Sequence, residues 1–428
     1  MSDSTRGSGS PFRRRLFLKG SAAASLMWTA RSYARILGAN ERIRVGFIGA
    51  GGMGTNHLKA IHDLKEPNNL DAVAVADCWK QRAEVGAALV GAPQSLVDYR
   101  KLLELKEIDY VTIATPEHWH AKMTIDALDA GKAVYCEKPL THNIEEALQV
   151  LKRQQECKLP LQVGVQSTSD DCYAKAGEAI RQGLLGKIVQ AQIEYVRRYD
   201  KQGPFRLPEV TDDMPQPSDL DWKAWLGDAP KTPWNPHHYY EWRAYSAYSG
   251  GIATDLFIHR LTRMLIACNL DYPSRVVGMG GIWQWPDGRD LPDNFELICE
   301  YPEGMTVYVL GTMSNRTKLD HVIRGYRGTL QFTGTGWIAL DKDGKTLDEY
   351  QGDVRESIHK HHTNLHNHLR NGEKLNCPIE LGVAGVVAVN MANQSWRSGQ
   401  MMSWLADKQQ VVASHTLAEG GRTAIRPE

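Results

Sequence analysis

The stretch IRVGFIGAGGMG, residues 43–54, decides the fold of this chain. Its first six residues form a short apolar run, as expected of a buried strand in a parallel sheet. Gly49, Gly51 and Gly54 follow with the spacing G-x-G-x-x-G, and residues 55–65 have the pattern of a helix. A glycine motif between strand and helix predicts a dinucleotide-binding turn. Its glycines permit the tight turn, the approach of a pyrophosphate and close packing of the helix.

An acidic residue follows the second predicted strand, residues 72–76. Asp77 lies about 20 residues beyond the glycines, where a carboxylate accepts a hydrogen bond from the ribose 2′-hydroxyl. Because that carboxylate would repel a 2′-phosphate, we expect NAD rather than NADP as the cofactor. Two alternatives stay open, since Arg82 could serve a 2′-phosphate and Asp77 could simply cap a helix.

The alternation of strands and helices continues. Strands are predicted at residues 110–114, 134–136 and 161–165, and helices at 120–130 and 143–158. This order predicts a parallel, doubly wound sheet whose ligands bind at the carboxyl ends of its strands. The residues that follow those ends are Thr115, Pro116, Glu117, His120, Glu137 and Lys138.

The first 34 residues have the order of an export signal. Arg13, Arg14 and Arg15 precede a short apolar stretch at residues 20–30, and small residues around Ala34 offer a cleavage site. The string RRLFLK resembles a twin-arginine signal, so we expect the chain to use that export machinery and to work in the periplasm or otherwise exported. A disordered basic tail and an uncleaved anchor are the alternatives. An exported dinucleotide-binding protein would have to keep its cofactor.

Composition gives further information on the class of protein and the kinds of site it could contain. The 428 residues suit two domains. The 50 basic and 50 acidic residues balance, which gives no indication of a nucleic-acid partner. The seven cysteines are an odd number without C-x-x-C spacing, so they indicate neither a zinc knuckle nor a disulfide framework.

Further motifs carry a family resemblance. AGK at residues 130–132 leads to EKP at 137–139, GLLGKI occupies 183–188, and WR at 242–243 and GG at 250–251 precede Asp255 and His259. With the glycine loop and Thr115-Pro116, these motifs resemble the glucose–fructose oxidoreductase, inositol dehydrogenase and rhizopine catabolism (Gfo/Idh/MocA) family. The resemblance implies a second domain with an open, mainly antiparallel sheet that covers the nicotinamide and often joins subunits into homo-oligomers.

The predicted fold is therefore α/β plus α+β. We expect a signal peptide at residues 1–34, a Rossmann NAD(P)-binding domain at 41–165, a substrate and oligomerisation β-sheet domain at 166–375, and a C-terminal helix and tail at 376–428 that pack back on the core. Strand-like segments of the second domain lie at 188–196, 276–283, 295–301, 305–310, 329–333 and 337–340. Residues 378–405 have a helical pattern.

Three residues suit proton handling beside a hydride transfer, which is the cofactor's own reaction. Lys138 follows a strand, while Asp255 and His259 lie four positions apart on a predicted helix and so share one face. The resemblance makes His259 the general base, Asp255 the residue that orients it, and Lys138 the proton relay or oxyanion partner. The alternatives are a surface lysine and a helix-face pair that never meets substrate.

The predicted contacts follow from these motifs. We expect the cofactor to contact Gly49, Gly51, Met53, Gly54, Asp77, Thr115, Pro116, His120, Glu137, Lys138, Trp242 and Arg243, although the last two could instead fasten the domains together. We expect substrate at Lys138, Asp255, His259, Tyr239 and Tyr240, and no metal. Relatives often have glycine where Phe257 stands and a second acid where Thr262 stands, so their substrate preferences do not transfer.

Two clusters remain ambiguous. Residues 204–248 are rich in Trp and Tyr, whose faces stack on sugar rings; they predict a carbohydrate-binding loop, or else a subunit contact or a rigid arm. His362 and His366, within a histidine-rich stretch at residues 359–368, have the i, i+4 spacing of metal ligands. No nearby acid or cysteine completes a ligand set, so a polar helix face is the favoured interpretation.

The favoured function is hydride transfer to or from a carbohydrate, polyol or keto-sugar, with a tightly held cofactor. One alternative is an exported glycosidase that oxidises a sugar carbon transiently and reduces it again. Another is a non-enzymatic sensor that binds a dinucleotide and a sugar. Lys138, Asp255 and His259 argue against a sensor, because a sensor needs no proton relay.

Overall fold

The computed structural model describes residues 42–353 and 355–414. The predicted export signal lies outside these residues. Within them, the strands form two sheets, and no helix combines the length and apolar character needed to cross a bilayer.

The first sheet carries the glycine motif. Its strands are β1 (Ile43–Ile48), β2 (Leu70–Ala76), β3 (Gln94–Leu96), β4 (Tyr110–Ile113), β5 (Ala133–Glu137) and β6 (Leu161–Gly164). They lie in the order β3-β2-β1-β4-β5-β6, with parallel pairing that places Phe47 opposite Thr112. The strand order reverses between β1 and β4, which leaves a crevice at the carboxyl ends of these two strands, where such sheets bind ligands.

Helices cover this sheet. They are α1 (Gly52–Leu64), α2 (Lys80–Val90), α3 (Tyr99–Leu103), α4 (Glu117–Asp129) and α5 (Ile144–Cys157). Local chemistry sets some of their ends. The Asn143 side chain accepts a hydrogen bond from the Glu146 amide and caps α5, and Asp98 caps α3 in the same way.

The second sheet is mixed and mainly antiparallel. Its strands are β7 (Ile188–Val196), β8 (Arg275–Gly281), β9 (Asn294–Tyr301), β10 (Met305–Thr312), β11 (Val322–Gly325), β12 (Gly328–Phe332), β13 (Trp337–Asp341), β14 (Thr346–Tyr350), β15 (Met402–Leu405) and β16 (Gln410–Ala413). Their order is β14-β13-β12-β11-β7-β10-β9-β8-β15-β16. The strands β7 and β10 run parallel, while β9 pairs antiparallel with both β8 and β10.

One face of this sheet is packed. Residues along β9 and β10 alternate between buried and more exposed positions, as expected of a sheet covered on one side. The remaining helices are α6 (Asp171–Arg181), α7 (Trp222–Leu226), α8 (Pro236–Tyr240), α9 (Ile258–Cys268), α10 (Ile358–Asn371) and α11 (Ile379–Ser398). Of these, α11 packs on β8 and α9 packs on β7 and β10.

The prediction that residues 378–405 are helical is wrong at its end. The helix α11 stops at Ser398, because Gly399 takes a left-handed conformation with φ of 67°. Residues 402–405 instead form β15, which pairs with β8 and extends the second sheet. An apolar run of four residues does not distinguish a strand from a helical turn, so only the pairing decides.

Residues 204–248, here called the aromatic arm, leave the second sheet and reach the first domain. Trp222, Trp225, Tyr239 and Tyr248 are buried in a small core of their own. The arm is joined to the loop after β2, where the Asp219 carboxylate accepts hydrogen bonds from Trp79 Nε1 at 2.9 Å and from the Gln81 amide at 2.8 Å. The arm is thus both a packed element and a bridge.

Candidate active site

A large cavity lies at the carboxyl ends of the first sheet, with the aromatic arm and β7 as its far walls. Its volume is about 1190 Å³, and its lining includes Gly49, Gly51, Gly52, Met53 and Thr115. Small-molecule sites usually measure roughly 300–1,000 Å³, so this cavity has room for a dinucleotide and a second ligand.

The glycine loop has the geometry that the motif predicts. Gly49 has φ of +91°, and a Cβ on Gly54 would lie 2.1 Å from the Gly49 carbonyl oxygen. A Cβ on Gly51 would meet only the Arg82 guanidinium, at 3.3 Å, so the Gly51 backbone faces open space in the cavity. Gly54 itself does not line the cavity. Its role is to let helix α1 pack closely against the Gly49 backbone. The predicted contact between Gly54 and the cofactor has no counterpart in the cavity lining.

Asp77 joins the glycine loop to the next loop. Its carboxylate accepts hydrogen bonds from the amides of Ala50 and Trp79, both at 2.8 Å, and it lines the cavity. The Arg82 guanidinium stacks over the rings of Trp79, at 4.7 Å, and Tyr239, at 5.4 Å. This end of the cavity therefore offers one carboxylate, one guanidinium and aromatic faces.

Tyr239 and Tyr240 were predicted to bind substrate beside Lys138. The structure places both of them against Trp79, with ring centroids 6.0 and 6.4 Å away. They line the Asp77 end of the cavity rather than packing with the proton-handling residues. Tyr239 is 4% exposed, so most of its ring serves the core of the arm.

The predicted proton-handling residues meet at the other end. Lys138 Nζ donates to Asp255 Oδ1 at 2.8 Å and to the Asp255 carbonyl at 2.6 Å. Arg243 Nε donates to the same Oδ1 at 2.9 Å. Although burial alone would raise the pKa of Asp255, Lys138 and Arg243 hold it well below its usual range. Asp255 is therefore an ionised carboxylate shared by two cations.

His259 lines the same end of the cavity, but Asp255 does not orient it. That predicted pairing is wrong, because the Asp255 carboxylate faces Lys138 and Arg243. The His259 Nδ1 atom is buried, and it has no hydrogen-bond partner within residues 42–353 and 355–414. Burial, followed by the Lys138 ammonium, holds the pKa of His259 well below its usual range. A neutral imidazole of this kind is suited to accept a proton.

The backbone at Asp255 departs from the predicted regular helix. Residues Ala253–Phe257 form a π-helical turn ahead of α9, a feature that often occurs at functional sites. Phe257 is fully buried, and its ring packs where a Cβ on Gly311 would lie, 2.3 Å from the ring. Phe257 therefore fills the core under the second sheet and does not narrow the cavity.

Two residues predicted from the strand ends lie behind the cavity wall. The ring nitrogens of His120 lie 2.9 Å from the Thr115 carbonyl and 2.6 Å from the Pro139 carbonyl. Glu117 accepts hydrogen bonds from the Ser249 hydroxyl and the Gly250 amide, at 2.7 and 3.0 Å. Both are buried and neither lines the cavity, so the cofactor contact predicted at His120 stays a prediction that the cavity lining does not support. They hold the wall in place, whereas Thr115, Pro116, Glu137, Trp242 and Arg243 do line it.

The structure also corrects the interpretation of the histidine-rich helix α10. His361, His362 and His366 are fully buried, so they do not form a polar surface. His362 Nε2 lies 2.9 Å from His57 Nδ1, and His57 Nε2 lies 2.9 Å from Glu137 Oε1. No group of three or more potential metal-binding side chains occurs in the described part of the chain. The histidines instead connect α10 and α1 to the Glu137 carboxylate at the cavity wall.

Residues of β7 and its continuation were missed from the sequence. Tyr195, Arg197 and Tyr199 all line the cavity beside Asp255 and His259. Their spacing of two is the available signal, because alternate residues of an extended segment share one face. The sequence does not reveal which face meets the cavity, since that depends on how the two domains pack.

Two family models match the chain. The oxidoreductase family model for the NAD-binding Rossmann fold matches residues 43–165, and the oxidoreductase family model for the C-terminal alpha/beta domain matches residues 174–420. Together they cover most of the chain, including every residue of the site at the Lys138 end.

Individual relatives match only part of this chain or share its fold at low sequence identity. Inositol 2-dehydrogenase 4 of Saccharopolyspora erythraea is 35% identical over 150 residues, which are 35% of this chain and 44% of that protein. An alpha-N-acetylgalactosaminidase of Shewanella oneidensis is 32% identical over 174 residues, 36% of this chain and 35% of that protein. The chain thus spans less than half the length of both relatives. The WlbA dehydrogenase of Bordetella pertussis, solved with NADH and UDP-GlcNAcA, shares the fold at 18% identity, with a TM-score of 0.64 over 85% of this chain and 98% of that one.

Proposed function

This chain belongs to the Gfo/Idh/MocA oxidoreductase family, and from its site we propose that it is an NAD-dependent oxidoreductase. It would move a hydride to or from a carbinol carbon of a carbohydrate, polyol or keto-sugar. The main support for this activity is that the glycine loop, the Lys138–Asp255–Arg243 ion cluster and a neutral His259 all line one cavity.

The residues present fit the cofactor. The Gly51 backbone faces open space, the N-terminus of α1 points its free amides there, and Asp77 stands where a ribose hydroxyl would donate. Met53, Thr115 and Glu137 complete this lining. When bound, NAD(H) supplies the hydride acceptor or donor.

The protein's own part is the proton. Lys138 would donate a hydrogen bond to the substrate hydroxyl or carbonyl oxygen, and Asp255 fixes the lysine in place for that task. His259 is neutral and lines the same end of the cavity, so its imidazole could take the proton from a carbinol. Arg243 shares the Asp255 carboxylate and keeps it ionised.

The experiment begins by denaturing the purified protein and identifying any released nucleotide by mass and absorbance. Sugars and polyols are then screened for formation or bleaching of NADH. Lys138→Met should retain nucleotide and lose roughly 10²–10⁴-fold in turnover, the usual contribution of a general acid or base. Lys342→Met, on an exposed ion pair with Asp343 outside the lining, is the control. Wild-type turnover in Lys138→Met would refute the assignment.

A glycosidase that oxidises its sugar transiently is the second candidate. It is favoured by the similarity to the Shewanella oneidensis alpha-N-acetylgalactosaminidase. The same cavity and proton-handling residues would serve it, because the hydride returns to the sugar. Release of free sugar from a glycoside without net NADH would select this candidate. A sensor would bind NAD and turn over no sugar at all.

The proposal extends to location and assembly. The RRLFLK string supports export by the twin-arginine machinery, with the cofactor bound before transport. A lysine pair in place of Arg14 and Arg15 should leave the protein in the cytoplasmic fraction. The open face of the second sheet exposes Met279 and Ile298, which supports a homo-oligomer through this face. Ile298→Glu should then lower the molar mass measured by light scattering.

A further inference from the structure

The substrate end of the cavity has more positive than negative side chains. Lys138 and Arg243 both donate to the same oxygen of Asp255. The neighbouring Glu137 carboxylate accepts hydrogen bonds from the Gln166 side chain at 2.6 Å and lies 2.9 Å from His57 Nε2. It also interacts electrostatically with Lys138 and Arg243, so two carboxylates balance these two cations.

Arg197 is the positive charge that these carboxylates leave in excess. It lines the cavity beside Tyr195 and Tyr199, and its guanidinium stacks 4.8 Å over the Tyr195 ring and donates to the Tyr195 hydroxyl. It forms no ion pair with any residue in the described ranges. Arg206, in the aromatic arm, is different, because it pairs with both Glu241 and Asp287. Arg197 is thus held in place by the Tyr195 ring and hydroxyl, and no carboxylate of the described residues is paired with its charge.

More positive side chains lie next to this cavity. A second cavity of about 440 Å³ shares Arg197 and Tyr199 with the first, and its other charged lining residues are Arg198, Arg316 and Lys318. Asp200 pairs with Arg198 and Arg316 and is the single acid that contacts these side chains within residues 42–353 and 355–414. Four cations and one acid therefore lie at this adjoining cavity, in a protein whose total charges balance.

We infer that the substrate is an anionic saccharide. Its oxyanion is held by Arg197 while its carbinol carbon lies at Lys138 and His259. A guanidinium fork matches the two oxygens of a carboxylate or phosphate, and a cationic surface beside the site raises the local concentration of an anion. A neutral sugar has no group to balance these charges. The inference rests on the proposed function for its reacting end, while the binding of the anion is tested separately.

The test measures binding and turnover side by side. Nucleotide-loaded full-length protein is titrated by calorimetry with glucuronate, glucose 6-phosphate and glucose, and the same three sugars are assayed for NADH formation. We expect at least one anionic sugar to bind about tenfold or more tightly than glucose, with a difference that shrinks at high salt. Whichever anion binds better, the carboxylate or the phosphate, identifies the source of the oxyanion.

Substitutions locate the effect. Arg197→Gln should weaken binding of the anionic sugar by roughly tenfold to a hundredfold, since it removes a hydrogen bond between charged groups. It should weaken binding of glucose far less than binding of the anionic sugar, and Arg197→Lys should restore part of the loss. Arg275→Gln removes an arginine of the second sheet outside both cavities and should change nothing.

The outcomes separate the two proposals. Glucose binding as tightly as either anion, or an equal loss for all sugars in Arg197→Gln, would overturn the anionic inference. Turnover of neutral sugars alone would overturn it as well, while the proposed oxidoreductase function would stand. Anion binding that depends on Arg197, with no turnover of any sugar, would support the anionic site and count against the hydride-transfer proposal.

Discussion

The chemistry of the site depends on which partner each charged residue has. Sequence spacing placed Asp255 and His259 on one face, and they do line one cavity. Spacing alone did not reveal that Lys138 and Arg243, from two distant segments, compete for the Asp255 carboxylate. His259 has no hydrogen-bond partner at Nδ1 within the described residues, and burial, followed by the Lys138 ammonium, keeps it neutral by lowering its pKa.

The lowered pKa of His259 leads to a prediction about pH. A histidine with a depressed pKa remains a base as the pH falls through about 6.5, where a free imidazole gains its proton. We therefore expect kcat/KM to show no acidic limb near that pH, and any limb due to His259 to lie lower. The measurement is the pH profile of kcat/KM for the wild type and for His259→Gln. A limb near about 6.5 that vanishes in His259→Gln would contradict the assignment.

A single glycine sets the distance between strand and helix in the nucleotide loop. In Gly54→Ala, the new Cβ would lie 2.1 Å from the Gly49 carbonyl, so α1 must shift away from β1. We expect a loss of about 1–3 kcal/mol in the free energy of unfolding, as for other overpacked sites, together with less nucleotide per purified chain. Urea unfolding and nucleotide content test this. Gly334→Ala, where a Cβ meets nothing within 4 Å, is the control. An unchanged nucleotide content would show that the loop tolerates the shift.

Helices and strands with a clear pattern of apolar residues could be predicted from the sequence. Elements that form only through contacts with distant segments could not. The strand before the glycines and the strand at residues 188–196 have the bounds that the sequence predicted. The edge strand β14, with the polar sequence TLDEY, was missed because its exposed side chains carry no apolar alternation. The strand β15 was taken for helix, and the π-helical turn at Asp255 was missed, since both depend on packing across the chain.

The helix α10 also depends on contacts that the sequence does not reveal. Its histidines were interpreted as a polar face, yet they are buried against α1 and the first sheet. Polar side chains can be buried when each finds a partner, as His361 does with Ser169 Oγ at 2.7 Å and the Val163 carbonyl at 2.9 Å. Partners almost 200 positions away in the sequence leave no local signal.

These buried histidines predict how stability changes with pH. Burial lowers the pKa of His361 to about 4 and that of His366 to about 3, from 6.5. Between those values the unfolded chain binds more protons, so stability is complete above about pH 6.5 and falls as the pH decreases. Each histidine contributes up to about 1.4 kcal/mol per pH unit. Urea unfolding at neutral and mildly acidic pH measures the slope.

Replacing one of the histidines should reduce that slope. His366→Gln removes one titrating group and keeps polar atoms near Tyr110, so stability should depend less on pH by about one proton. His359→Gln alters the exposed histidine of the same helix and should leave the slope as it is. An identical slope in His366→Gln and the wild type would show that other groups govern the acid sensitivity.

At the scale of the whole molecule, the aromatic arm brings the two domains together around the cavity. Sequence composition suggested a sugar-binding loop, a subunit contact or a rigid arm, and could not choose among them. The structure shows a packed arm whose residues, including Trp225, Tyr239 and Trp242, form the cavity wall opposite the glycine loop. Its attachment to the loop after Asp77 closes the cavity at the ribose end, because Trp79 pairs with Leu220 as well as with Asp219.

This attachment should control how long the nucleotide stays bound. In Asp219→Ala the arm loses two hydrogen bonds to a charged group, each contributing roughly 1.5–3 kcal/mol, and the wall at Trp79 can open. We expect NADH to dissociate at least about tenfold faster, since about 1.4 kcal/mol corresponds to a factor of ten. The loss of NADH fluorescence on dilution measures the rate. Asp213→Ala, in the same arm but bonded only to Thr211, should release nucleotide at the wild-type rate. Equal rates in Asp219→Ala and Asp213→Ala would show that the arm packs against the first domain without retaining its ligand.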